Sequence, residues 1–214
     1  MRILCLTTSF PSSPDDPSGF FIYQQAQALT AQGLTIRVLT PQSDAPPSNW
    51  PESIHVRRFS YAPRRWQILA QRPGGIPAAL RLNRKNYMLA PSFLTAYVLN
   101  ILAHSLKADL VLANWAVSGA LAWYLSPLHR KPVITVLRGS DAIVKNGVLG
   151  SESPLRKAGF RGSEAVVCVG RDQEKAIKKA SGNSEKVRYN PNGNHERFFH
   201  ATPPEPGDAI HIMY

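Results

Sequence analysis

A chain of 214 residues is long enough to bury one large core or two small ones, and 43% hydrophobic residues place it among globular chains. Its two cysteines, Cys5 and Cys168, each lie inside an apolar run, which excludes a disulfide framework and a cysteine metal cluster and suits a reducing cytosol. Twenty-five Lys and Arg against 14 Asp and Glu give a formal charge of +11, which points to an anionic partner: a phosphorylated substrate, an acidic membrane surface or nucleic acid.

The first apolar run, "RILCLTT", reads as a strand and ends in a turn-rich loop, "SFPSSPDDPSG". "FFIYQQAQALTAQG" follows as a helix, with Ile22, Ala26 and Leu29 at helical spacing and Gly33 as its stop. Ser18 is a candidate N-cap. "LTIRVLTP" and "SIHVRRFS" read as the second and third strands, and "APSFLTAYVLNILAHSLK" as a long helix with Pro91 in its first turn. After it come strand "ADLVLAN", a short helix "SGALAWYLSP" stopping at Pro127, strand "KPVITVLRG", helix "SPLRKAGFRG", strand "EAVVCVG", helix "RDQEKAIKKASG" and strand "KVRYN". The apolar N-terminus is too short for a signal h-region, and no apolar run reaches ~18 residues, so no segment is expected to span a membrane.

This alternation predicts an α/β fold: a Rossmann-like three-layer domain with a mostly parallel sheet. "DLVLA", "PVITVL" and "AVVCV" are apolar without alternation, as strands covered on both faces are. In such sheets ligands meet the carboxyl ends of the strands. The candidate site residues are therefore Gly19, Asn114, Trp115, Arg138, Gly139, Ser140, Asp141 and Arg171, with Asn192-Gly193 as a turn. Gly19 before a helix would let backbone approach a phosphate, or would only satisfy a loop. Trp115 suits a sugar face and Asn114 its hydroxyl groups, although a Trp packed under a loop fits as well. Asp141 could serve a ligand, cap a helix or pair with Arg138. No dinucleotide or P-loop motif, metal-ligand pair or Ser-His-Asp spacing is present, so no cofactor site is read from the residues.

One stretch stands apart. From Ser53 to Ala108 there is no acid, yet nine cations occur, among them Arg64, Arg65, Arg72, Arg81, Arg84 and Lys85. Trp66, Tyr87, Met88 and Phe93 are interleaved with them. This is the chemistry of a surface facing an anionic membrane or an acceptor, or else of a solvated arginine-rich loop.

Four stretches together resemble glycosyltransferase family 4: "PSG" before the first helix, "KPVITVLRGSD", "SEAVVCVGRDQEKAI" and "KVRYNPNGNHERFF". The resemblance implies the N-terminal half of a GT-B fold, with residues 1–200 as a Rossmann-like acceptor-side domain. Residues 201–208 would be a linker, and 209–214 the first strand of a donor-binding domain. It further implies a retaining glycosyltransferase, of hexosyltransferase type, using a nucleotide-sugar donor and a sugar or lipid-linked acceptor. Such an enzyme would be cytoplasmic, peripheral on the inner face of the membrane, and would serve cell-envelope polysaccharide. These 214 residues alone would be inactive, and no metal or other cofactor would be needed, because protein groups meet the donor diphosphate in this family. The family usually carries His where this chain has Arg138, which leaves charge stabilisation open to Arg138 and Asp141 but not proton transfer by the arginine. A non-catalytic binding module of the same fold is the alternative. Nucleic acid is not expected as a partner, since no such motif accompanies the charge.

Overall fold

A computed structural model describes residues 1–13, 16–42, 50–70, 75–139, 154–181 and 184–193. Ser140, Asp141, Arg72 and the expected linker and strand of residues 201–214 lie outside these.

Seven parallel strands form one sheet in the order β3-β2-β1-β4-β5-β6-β7. They are β1 (Arg2–Leu6), β2 (Thr35–Pro41), β3 (Ile54–Phe59), β4 (Leu110–Asn114), β5 (Val133–Leu137), β6 (Ala165–Cys168) and β7 (Val187–Tyr189). The helices are α1 (Phe20–Ala31), α2 (Gly75–Leu82), α3 (Ala90–Ser105), α4 (Ala116–Tyr124), α5 (Ser126–His129), α6 (Pro154–Gly162) and α7 (Arg171–Ser181). The expected three-layer Rossmann-like fold is therefore present.

Successive strand residues point to opposite faces, so β1 feeds two cores at once. Leu4 and Leu6 join Leu39, Phe59, Phe93, Tyr97 and Ile101 under α3. Ile3 and Cys5 join Ile22, Ala26, Ile36 and Val38 under α1. A third cluster gathers Leu137, Phe160, Val166, Cys168 and Ile177. Both cysteines are buried core residues.

Three local expectations change. Ser18 does not cap α1; Gly19 does, with left-handed backbone at φ 72°. The helix expected to stop at Pro127 ends earlier, at Tyr124, and Pro127 sits in the first turn of α5, where its missing N–H costs nothing. And the basic stretch is no open loop. A 3-10 turn (Arg64–Trp66), α2 and a second 3-10 turn (Arg84–Leu89) lead through it into α3. Tyr61, Leu69, Ala79 and Phe93 anchor these pieces in the core under α3.

The continuous helical run Arg84–Ser105 is, by length and composition, apolar enough to cross a bilayer. Its inner face already covers the sheet, because Phe93, Tyr97 and Ile101 are core residues.

Candidate functional site

The sheet reverses its strand order between β1 and β4, and the carboxyl ends of the strands converge there. Asn114 ends β4 with no exposed surface. Its Nδ2 donates to the Leu6 carbonyl at 3.1 Å and approaches the Cys5 Sγ at 3.4 Å, so it bridges the switch point. Its Oδ1 accepts from the Arg138 Nε at 3.0 Å.

Arg138 is the centre of the site. It follows β5 and is half-buried. One terminal nitrogen donates to Asn192 Oδ1 at 2.6 Å, the other to Gln25 Oε1 at 2.5 Å, and the guanidinium carbon lies 5.1 Å from the centre of the Phe21 ring. Residues 113 and 54 positions away thus hold one side chain. All three acceptors are neutral amides, so these bonds orient the guanidinium without cancelling its charge. Burial pulls its pKa below the ordinary arginine value, yet arginine stays a cation. Burial also pushes the Cys5 thiol up to about 12, against the opposing pull of Arg138 and Asn114. That thiol is therefore no nucleophile at neutral pH.

Gly19 sets the wall beside Phe21. A Cβ there would lie 2.5 Å from the Ser9 carbonyl oxygen, and its φ is one that side chains avoid. The loop it closes is fastened by Asp16, whose carboxylate accepts the Ser12 and Ser18 N–H groups at 2.7 and 2.8 Å. Burial works against the Asp16 charge, but those N–H groups hold its pKa below the usual carboxylate value. Arg58 reaches in from β3 to donate to the Pro11 carbonyl at 2.7 Å. One of the nine cations of the basic stretch is thus a strut of this loop.

Two expectations about ligand contact change here. Asn114 is not open to hydroxyl groups, because its amide is engaged inside the sheet. Trp115 packs half-buried against the core under α1 rather than standing free as a platform. Its backbone is strained, at φ 67° and ψ 148°, which costs on the order of 1–3 kcal/mol. The strain lets Trp115 donate to the Val136 carbonyl at 2.8 Å while its own carbonyl starts α4. Gly139 follows Arg138 at φ 91°, where glycine is favoured. Arg171 is exposed at the start of α7, and its guanidinium lies 4.6 Å from the Tyr189 ring centre. Arg64, Arg65, Trp66, Arg81, Arg84 and Lys85 are all exposed. Among the described residues no group of three or more His, Cys, Asp or Glu could hold a metal ion. A groove of about 490 Å³ between Trp123, Arg130 and Glu164 lies at the opposite, amino-terminal edge of the sheet.

Gln25, Phe21 and Arg58 were not candidates from sequence, and Asn192 was read only as a turn. An amide on a helix carries no mark of a partner so far along the chain. The one available signal was Asn192 in a loop following a strand.

A family model described as "Glycosyl transferase 4-like domain" matches residues 18–193. No curated protein sequence matches this chain significantly. Among solved structures, sucrose-phosphate synthase from Thermosynechococcus elongatus is similar at TM-score 0.59 and 17% identity, covering 89% of this chain and 48% of that one. Anabaena HepE in complex with UDP and glucose is similar at TM-score 0.58 and 16% identity, covering 91% and 45%. The lipopolysaccharide outer core galactosyltransferase WaaB, in its apo form, is similar at TM-score 0.53 and 8% identity, covering 89% and 46%. At such identities the likeness is one of fold, and the chain spans about half the length of each of these three.

Proposed function

The chain belongs to the glycosyl transferase 4-like family, and from that premise we propose that it is the acceptor-side half of a retaining glycosyltransferase that uses a nucleotide-sugar and a sugar or lipid-linked acceptor. The observation that carries this reading is the Arg138 cluster at the carboxyl ends of the strands. A guanidinium fixed on three sides by neutral amides is a preset electrostatic partner for a phosphate or for charge developing as a glycosidic bond breaks. Gly19 would let the α1 end of the loop come close to the same group. Ser140 and Asp141, next in sequence, would border that position, and Arg171 would lie farther along the strand ends. Acid-base chemistry falls to a group other than Arg138, because an arginine does not give up its proton. The donor would be held mainly by a second domain, with residues 201–208 as linker. The reaction would take place at the cytoplasmic face of the membrane and serve cell-envelope polysaccharide.

The test is transfer. The reading frame should continue past Tyr214 into a Gly-rich domain start with a Glu-x(7)-Glu stretch. The longer protein should move a hexose from a nucleotide-sugar with its anomeric configuration kept, as read by NMR of the product, while the 214 residues alone release none. Inversion, or turnover by the 214 residues alone, sinks the reading. One observation favours a second reading, a module that binds acceptor without transfer: Arg138 stands where the resemblance places His, and it is tied down. A longer protein that binds acceptor but never consumes donor would establish it.

A further inference from the structure

The outer face of α3 is largely apolar after its first turn. Leu99 and Leu102, with Leu106 at the C-cap, follow Thr95 at intervals of four, three and four residues, on the side away from the buried Phe93, Tyr97, Ile101 and Ser105. Leu99 is 60% exposed and Leu106 65%. A helix that covers a sheet ordinarily turns polar groups outward, so this face is unusual.

Cations stand at both ends of the stripe. Before it come Arg81, Arg84 and Lys85, exposed beside Leu82, Tyr87 and Met88, and Arg64, Arg65 and Trp66 are exposed on a turn whose neighbours Tyr61 and Leu69 belong to the core under α3. After it, Lys107 joins Arg37 on β2 and Arg57 on β3 around His104. Burial lowers the His104 pKa, and the nearness of these three cations lowers it further. The acid next to this group, Asp109, is engaged by Arg2 at 2.9 Å. The helix is roughly 24 Å long at 1.5 Å per residue. The two cationic clusters are therefore too far apart to share one small anion.

We propose that the outer face of α3 lies flat on an anionic lipid bilayer, with the two cationic clusters at the headgroups and Leu99 and Leu106 in the interface. An apolar stripe with cations beyond both ends is what such a surface binds. The alternative occupant, a second copy of this chain, is disfavoured by the same charges. Whether two α3 helices pair parallel or antiparallel, each end sets cations against cations. The span from Ser53 to Ala108 contains no acid to relieve that repulsion. A flat α3 presents a whole helix face to the bilayer, not only the arm of residues 64–89. The docking stands independently of sugar transfer.

The experiment is cosedimentation of the 214-residue chain with vesicles of phosphatidylglycerol and phosphatidylcholine, and with phosphatidylcholine alone. Binding should require phosphatidylglycerol and fall as salt rises. Arg57→Gln with Lys107→Gln should each lower the affinity about fivefold, from the ~1 kcal/mol that one surface cation contributes. Leu99→Gln with Leu106→Gln should lower it at least about tenfold, and circular dichroism melting should show all variants folded. Several results overturn the proposal. One is equal binding to both vesicles, or none to either. Another is loss of binding in Arg64→Gln, Arg65→Gln and Arg81→Gln variants while the α3 variants bind as wild type. A third is self-association in sedimentation velocity that disappears with Leu99→Gln. A fourth is retention by polyglutamate but not by vesicles, which would replace the bilayer with an acidic protein. Sugar transfer by the longer protein is read separately, so failure here leaves that reading standing.

Discussion

Arg138 and the arginines of residues 64–84 carry the same charge in opposite circumstances. Arg138 is bound at Nε and at both terminal nitrogens, and it is backed by Phe21. Arg65, Arg81 and Arg84 are exposed, with Arg65 resting 5.6 Å from the Trp66 ring centre. The difference separates two uses of a cation. A fixed guanidinium has already lost its freedom and can face a small group in one geometry. A solvated one keeps its freedom and acts through a screened field on an extended partner. Changes near Arg138 should therefore disturb folding, and changes in the arm should not.

The largest effect should come from the wall of the Arg138 site. Gly19→Ala combines a disfavoured φ with a Cβ 2.5 Å from a backbone oxygen. It should cost about 3 kcal/mol or more in urea unfolding. A loss below 1 kcal/mol would mean that the loop shifts freely and the site is not preset. Next, Arg138→Met leaves Asn114 Oδ1 buried without this donor, for about 2 kcal/mol. Asn114→Leu added to it should recover part of that loss, because replacing both partners is milder than orphaning one. Additive losses in this double-mutant cycle would show that the bond carries no coupling.

The third prediction concerns pH. Burial keeps the Cys5 thiol neutral in the folded chain up to about 12, whereas in the unfolded chain it ionises near its ordinary value. The folded pKa is the higher one. Its stabilisation is complete below the unfolded value and is lost as pH rises towards the folded one. Wild type should therefore lose about 1–2 kcal/mol relative to Cys5→Val by roughly pH 10. Parallel stability curves for the two proteins would refute this. The smallest effect belongs to the arm: Arg65→Gln, Arg81→Gln and Arg84→Gln together should leave the melting temperature unchanged within error. A clear drop would place these side chains in the fold and blur the contrast with Arg138.

Strands such as Leu110–Asn114 were legible because a run covered on both faces must be apolar throughout. α2 was not. Its start, "GGIP", reads as a breaker, and only the packing of Ile76, Ala79 and Leu80 onto the core under α3 makes it a helix. In the site, the rule that ligands meet strand ends picked out Arg138 and Asn114 separately, and the structure joins them by a hydrogen bond. The rule could not show that Asn114 faces inward, because inside and outside at a strand end depend on a carbonyl of β1, more than 100 residues away. Nor could it separate Arg58 from its neighbours. Arg57 and Arg58 are alike in sequence, and the pleat sends one outward while the other reaches the Pro11 carbonyl.

Among the described residues the two outermost strands of the sheet each carry an exposed arginine: Arg57 on β3 and Arg188 on β7. Unpaired strand edges invite copies to zip together into aggregates. Here any two sheets approaching side by side bring cation to cation before a backbone hydrogen bond can form. The protection is electrostatic and acts at a distance set by ionic strength. The same salt that would release this chain from a bilayer would therefore also remove its guard against clumping.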